Sequence, residues 1–149
     1  MLFLLFSIQV LSAQVQFSVV GPCESKPIAE QNFEVSEPMS VGDFTVNSLK
    51  ELDLKFTGSR SKIDSINGTP VGQAAFEILS RSHMRAYGWC YFVDGRQPLV
   101  FPDEAFLLPE TNEVRWVFSY AEYKDGDWLS MCEPSWKIKS DFMCSDESQ

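Results

Sequence analysis

The stretch "GWCYFVDG", residues 88–95, decides the fold. Successive side chains of a β-strand point to opposite faces of its sheet. The apolar side chains here divide by face into two sets: Trp89, Tyr91 and Val93, and Cys90 and Phe92. An apolar pattern on both faces is typical of a central strand that is covered on both sides. Asp94 and Gly95 then form the dipeptide that a tight hairpin turn prefers.

A second stretch, "VRWVFSYAEY" at residues 114–123, repeats this alternation with Trp116, Phe118 and Tyr120 on one face. Aromatic side chains that face each other across two strands stabilise a sheet by roughly 0.2–1 kcal/mol per pair. The sequence therefore predicts that these two strands are neighbours and together form an aromatic wall.

One helix is predicted, from about residue 44 to residue 54. Its apolar positions recur at roughly helical spacing: Val41, Phe44, Leu49 and Leu52. Asp43 or Thr45 is expected to cap its first turn.

Three further strands are predicted at residues 14–20, 32–35 and 62–66, from their β-branched, aromatic or alternating sequences. Asn67 and Gly68 follow the last of them and favour a tight hairpin turn. Asn67-Gly68-Thr69 is also an N-glycosylation sequon, which matters only in a eukaryotic source. The next segment, residues 72–84, is compatible with a short helix or with another excursion of the chain.

A long connection, "RQPLVFPDEAFLLPETN" at residues 96–112, joins the two aromatic strands. Loops of this length are usually functional or carry a small element of their own. Beyond the second aromatic strand, the tail is expected to turn at residues 125–127 and to form one more strand at residues 135–138.

The chain begins with the apolar run "MLFLLFSIQVLSA", residues 1–13, and no charged side chain lies in it. A run this short does not span a bilayer as a helix, and it fits the apolar centre of a signal peptide cleaved at Ala13. The usual basic start is missing, which leaves open a start site upstream of Met1, and a buried first strand is the alternative. We expect residues 14–149 to form one secreted or periplasmic domain.

Four cysteines follow the predicted leader: Cys23, Cys90, Cys132 and Cys144. An even number in an exported chain predicts two disulfides, and four cysteines allow three pairings. We favour Cys132–Cys144, which closes a local loop, together with Cys23–Cys90. The alternative is four free, buried thiols in a cytosolic protein. The cysteines form no C-x-x-C pair and the chain has one histidine, His83, so no metal site is predicted.

The formal net charge is −9. A chain this acidic repels nucleic-acid backbones and anionic membrane surfaces, so neither is an expected partner. The hydrophobic fraction is 44%, enough to bury a core, which excludes a disordered chain.

Five stretches together resemble the transcobalamin C-terminal-like family of exported β-grasp domains: "VVGPC", "SVGDFTVNSLKEL", "IDSINGTPVG", "GWCYFVDG" and "EVRWVFSY". The resemblance covers residues 14–120, and the segment 121–149 is a cysteine-bearing extension. The resemblance implies an α+β fold in which a mixed sheet with β-hairpins wraps around one helix. In the cobalamin transporters of the family, a domain of this kind lies over one face of the corrin ring, opposite a helical domain that this chain has no room for.

The sequence favours a non-catalytic binding or adhesion module over an enzyme. His83 lies in "RSHMR", and the chain has no Gly-x-Ser-x-Gly motif. Cys90 would need a neighbouring base such as His83 to act as a nucleophile, and a disulfide explains Cys90 more simply. A small-molecule carrier of the cobalamin type is the alternative, although no cofactor is expected.

The partner is expected to be a protein, a glycan or a small molecule. Exposed aromatic and apolar side chains in a loop are good anchors for an interface. The candidate binding residues are Trp89, Tyr91, Arg96, Phe101, Phe106 and Leu107, although Trp89 and Trp116 fit the core better. Among these, the loop residues Phe101, Phe106 and Leu107 are the strongest interface candidates.

Overall fold

The structure, a computed structural model, describes residues 12–140 and 142–144. The elements occur in this order: β1 (Ala13–Val20), β2 (Pro27–Val35), α1 (Val41–Glu51), β3 (Phe56–Ser59), β4 (Lys62–Ile66), β5 (Phe76–Ser80), β6 (His83–Val93), β7 (Glu113–Lys124) and β8 (Asp127–Pro134). The leader prediction falls mainly on residues 1–11, which lie outside the described residues, and it stays a prediction.

The main sheet is mixed. Its strand order is β2-β1-β7-β6-β5, and β8 pairs with β7 beyond the end of β1. β1 runs parallel to β7, and every other pair in the sheet is antiparallel. β3 and β4 form a separate two-stranded sheet. A mixed sheet with one α-helix in the described residues makes this an α+β protein, as the sequence predicts.

The two aromatic strands are neighbours, as predicted. β6 and β7 pair along their whole length, so that Trp89 lies opposite Phe118 and Tyr91 lies opposite Trp116. The ring centroids of these two pairs are 5.3 Å and 5.5 Å apart. Trp116 is fully buried, but Trp89 is only half-buried.

The opposite face of β6 is less covered than the alternation predicts. Cys90 and Phe92 are half-buried rather than buried. Beyond Ala86, where the pairing with β5 ends, β6 pairs with a named strand only on its β7 side.

The helix begins three residues earlier than predicted. Ser40 is its N-cap: the Ser40 hydroxyl accepts a hydrogen bond from the Asp43 N–H at 3.0 Å and donates one to the Asp43 carboxylate at 2.7 Å. The predicted caps Asp43 and Thr45 therefore lie inside the helix. Thr45 instead accepts a hydrogen bond from the indole N–H of Trp116 at 2.9 Å, which ties the helix to the aromatic wall.

The Asn67-Gly68 turn forms as predicted, but it does not join a hairpin. Both residues have positive φ, 51° and 76°, as this turn requires. β4 pairs with the strand before it, β3, and not with the strand after the turn. After the turn, the chain forms a short 3-10 helix, Gly72–Ala75, and then β5. Asn67 is exposed.

The tail differs from the prediction after its turn. Asp125 and Gly126 form the expected tight turn, with φ of 52° and 99°. The tail strand is β8, however, and the predicted strand at residues 135–138 is wrong. Ser135 begins a short 3-10 helix, and its buried hydroxyl lies within hydrogen-bond distance of the carbonyl oxygens of Pro22 and Phe118, at 3.0 Å and 2.9 Å.

All four cysteines form disulfides, but the favoured pairing is wrong. The bonds join Cys23 to Cys144 and Cys90 to Cys132. Cys90 lies on β6 and Cys132 on β8, and both strands pair with β7. The tail then returns to the end of β1, which brings Cys144 within 5.6 Å of Cys23 between Cα atoms.

Candidate binding surface

The connection between β6 and β7 exposes a row of large apolar side chains. We call residues 98–109 the apolar loop. Leu99 is 99% exposed, Phe101 63% and Phe106 60%, and Val100 and Leu108 are about half exposed. Large apolar side chains grouped on one loop are a feature of interaction surfaces. The exposure predicted for Phe101 and Phe106 is confirmed.

The backbone of the apolar loop is bound to the start of α1. The Val41 N–H donates to the Ala105 carbonyl at 2.8 Å, and the Gly42 N–H donates to the Pro102 carbonyl at 2.7 Å. The first N–H groups of a helix have no partner within the helix. The loop supplies partners for two of them, so the loop and the helix fix each other.

Two of the candidate binding residues hold the loop instead of facing solvent. Leu107 is 9% exposed and packs in the core, while its N–H donates to the Met39 carbonyl at 3.1 Å. Tyr91 is 7% exposed, and its hydroxyl donates to the Val100 carbonyl at 2.7 Å. Leu107 was expected to lie at the surface, and this expectation is wrong because its side chain packs in the core.

Arg96 and Trp89 occupy different places. Arg96 is exposed in the turn that leads into the apolar loop, where its carbonyl accepts a hydrogen bond from the Val93 N–H at 2.8 Å. Trp89 lines a separate pocket of about 290 Å³, and its indole N–H donates to the Thr69 hydroxyl at 2.8 Å. The pocket walls also include Ile28, Ile66 and Phe142.

An exposed apolar set on β8 was missed by the sequence reasoning. Trp128, Leu129 and Met131 are all more than half exposed. The signal was present in the Asp-Gly turn followed by "DWLSMC", which reads as the second strand of a hairpin.

Charged side chains lie at the start of β6, next to its aromatic residues. His83 contacts the Glu122 carboxylate at 2.6 Å, and Arg85 contacts Glu77 at 3.2 Å. The hydrogen bond with His83 and the charge of Arg85 lower the pKa of Glu122. His83 thus belongs to a hydrogen-bonded network with Glu122 and Arg85, and Cys90, being in a disulfide, offers no thiol for nucleophilic chemistry.

Ionisation of Tyr87 should lower the stability of the fold at alkaline pH. Burial and a 2.9 Å hydrogen bond to Glu77 raise its pKa to about 12. Because the ordinary tyrosine pKa is about 10, the unfolded chain loses this proton first as the pH rises. The stability that Tyr87 contributes is complete below pH of about 10 and is lost between about 10 and 12.

Urea denaturation of the wild type and of Tyr87→Phe across this pH range measures the effect. The free energy of unfolding should fall less steeply with pH in the variant. Equal slopes in the two proteins would contradict the assignment.

Within residues 12–140 and 142–144, no group of three or more His, Cys, Asp or Glu side chains is placed to hold a metal ion. Among the same residues, no helix is long and apolar enough to cross a membrane.

Comparison with known proteins gives little further information. No family model matches the chain, and no curated protein matches it. A crystal structure from Ruminococcus gnavus, named a "putative metal binding protein", is similar over 72% of this chain and 99% of its own, with 13% identity and a TM-score of 0.42. A TM-score this low supports no conclusion about fold or ligand.

Proposed function

We propose that this protein is an exported, non-catalytic recognition module that binds a protein partner through the apolar loop. The supporting observation is that Leu99, Phe101 and Phe106 are more than half exposed on a backbone that is hydrogen-bonded to α1 and β6. A fixed backbone loses little conformational entropy when it binds. Loops held in this way by a scaffold commonly carry binding residues.

Export is part of this proposal. The support for it is the pair of disulfides, because disulfides form and persist in oxidising compartments outside the cytosol. We also propose a β-grasp fold, by resemblance to the transcobalamin C-terminal-like family. The support is the element order, in which a β1–β2 hairpin precedes the helix and β1 lies parallel to the later strand β7.

The double variant Leu99→Ser/Phe101→Ser tests the binding role of the loop. Both side chains are exposed, so their loss should leave thermal unfolding almost unchanged and should abolish capture of the partner from a native extract. The matched control, Ile78→Thr/Leu79→Thr, removes two exposed apolar side chains from β5 and should keep the capture. Capture that survives in the loop variant, or is lost equally in the control, would refute the proposal.

Deleting the whole loop is the wrong experiment. The deletion would also remove the carbonyl oxygens of Pro102 and Ala105 from the first turn of α1. A loss of binding could then not be distinguished from a loss of the fold.

The second candidate is a small-molecule carrier of the cobalamin type, and the pocket beside Trp89 is the observation that favours it. Its volume of about 290 Å³ lies at the lower end of the range for ligand sites. A pocket of this size would hold one side group of a corrin, and the rest of the ligand would lie outside the pocket. An absorbance titration with cyanocobalamin tests this alternative, and an unchanged spectrum rules it out.

A further inference from the structure

The surroundings of the apolar loop are acidic. From residue 97 to residue 112 the chain contains Asp103, Glu104 and Glu110 and no lysine or arginine. Two arginines lie close to these residues, Arg60 in the fold and Arg96 in the chain. Arg60 pairs with Asp43 at 3.6 Å, and Arg96 is a single exposed charge in the preceding turn.

Two of these carboxylates belong to the apolar loop itself and are hydrogen-bonded in or next to it. Glu104 accepts a hydrogen bond from the Phe101 N–H at 3.0 Å, and Asp103 accepts one from the Ser61 hydroxyl at 2.6 Å. Beside them, the Tyr91 hydroxyl donates a hydrogen bond to the Val100 carbonyl, within the same loop. After burial, the charges of Glu104 and Asp103 are the next causes of the raised pKa of Tyr91.

A partner for this surface must match both of its properties. Its apolar side chains would pack against Leu99, Phe101 and Phe106, and the charges around them would have to be positive. Complementary charge at the rim of an interface mainly raises the association rate and selects among partners. The net charge of −9 adds a long-range attraction for a basic partner.

We propose that the apolar loop binds a basic amphipathic protein segment, one that combines large apolar side chains with lysine or arginine. This inference rests on the proposed function of the loop and adds the chemistry of the partner. Glu104 and Glu110, both exposed, contribute the charge attraction, and Leu99 and Phe101 contribute the apolar contact.

Two synthetic peptides serve as probes: a Leu/Lys amphipathic peptide and its Leu/Glu counterpart. Fluorescence anisotropy with the purified protein at low salt should show binding of the Leu/Lys peptide only. Glu104→Gln/Glu110→Gln should weaken this binding about three- to tenfold, from two partly screened charge contacts. The weakening should shrink at high salt, where the charges are screened. Glutamine keeps an oxygen to accept the Phe101 N–H.

The control Glu24→Gln/Glu30→Gln removes two exposed carboxylates on β2 and in the turn before it, and it should bind like the wild type. An equal loss in this control, or equal binding of the Leu/Glu peptide, would overturn the inference. If Leu99→Ser/Phe101→Ser abolishes binding while Glu104→Gln/Glu110→Gln has no effect, the charge inference fails and the loop remains the binding site. If Leu99→Ser/Phe101→Ser binds like the wild type, the proposed function of the loop fails as well.

Discussion

Replacing Cys23 and Cys144 by serine will lower the free energy of unfolding by roughly 4–5 kcal/mol. The bond joins residues 121 positions apart. A crosslink restricts the unfolded chain more when it closes a longer loop, and the chain-entropy model gives this magnitude for a loop of that size.

The second disulfide provides an internal comparison. Cys90 and Cys132 are 42 positions apart, so Cys90→Ser/Cys132→Ser should cost about 4 kcal/mol, slightly less than the first pair. Guanidinium denaturation under non-reducing conditions measures both variants. An unchanged midpoint for Cys23→Ser/Cys144→Ser would contradict the structure, as would a Cys132–Cys144 peptide in a non-reducing digest.

The cysteine pairing could not be read from the sequence because it depends on which strands are neighbours in space. β8 was not recognised, although the Asp-Gly turn before it signals a hairpin, because Trp128 and Leu129 are adjacent and the apolar residues of "DWLSMC" do not alternate. Without β8, nothing placed Cys132 near Cys90. The short separation of Cys132 and Cys144 then made a local loop look favourable.

Features that depend on local rules were predictable. The alternation in β6 and β7 predicted which side chains share a face of the sheet. The aromatic residues of the two strands predicted that the strands are neighbours. The turns at Asn67, Asp94 and Asp125 followed from Asn-Gly and Asp-Gly dipeptides, which tolerate positive φ. The true helix start was also readable, because Ser40-x-x-Asp43 is a capping signature.

The candidate binding surface was predictable only in part. Apolar residues in a long loop indicated an interface, but they did not indicate which side chains face solvent. Phe106 and Leu107 are neighbours with similar hydrophobicity. An isolated β-bridge between Ser40 and Phe106 sets the backbone so that Leu107 enters the core and Phe106 does not.

Replacing Gly42 by alanine should destabilise the protein by about 2 kcal/mol or more, although alanine is the better helix former by about 1 kcal/mol. A Cβ atom on Gly42 would overlap the backbone carbonyl of Arg60 and would lie 3.1 Å from the backbone nitrogen of Asp103. These are backbone atoms, so no side-chain rotation relieves the overlap. The overlap therefore outweighs the gain in helix propensity.

Gly88→Ala is the matched control, because a Cβ at Gly88 meets no atom within 4 Å. Its stability should stay within about 1 kcal/mol of the wild type. Urea denaturation compares the two variants, and equal stability would show that the backbone of Arg60 does not lie against Gly42 as described. Because Gly42 donates to the Pro102 carbonyl, its variant should also displace the loop. Gly42→Ala should therefore lose partner capture at temperatures where it is still folded, while every exposed side chain of the surface is unchanged. Such a loss would show that binding needs the fixed loop backbone as well as its apolar side chains.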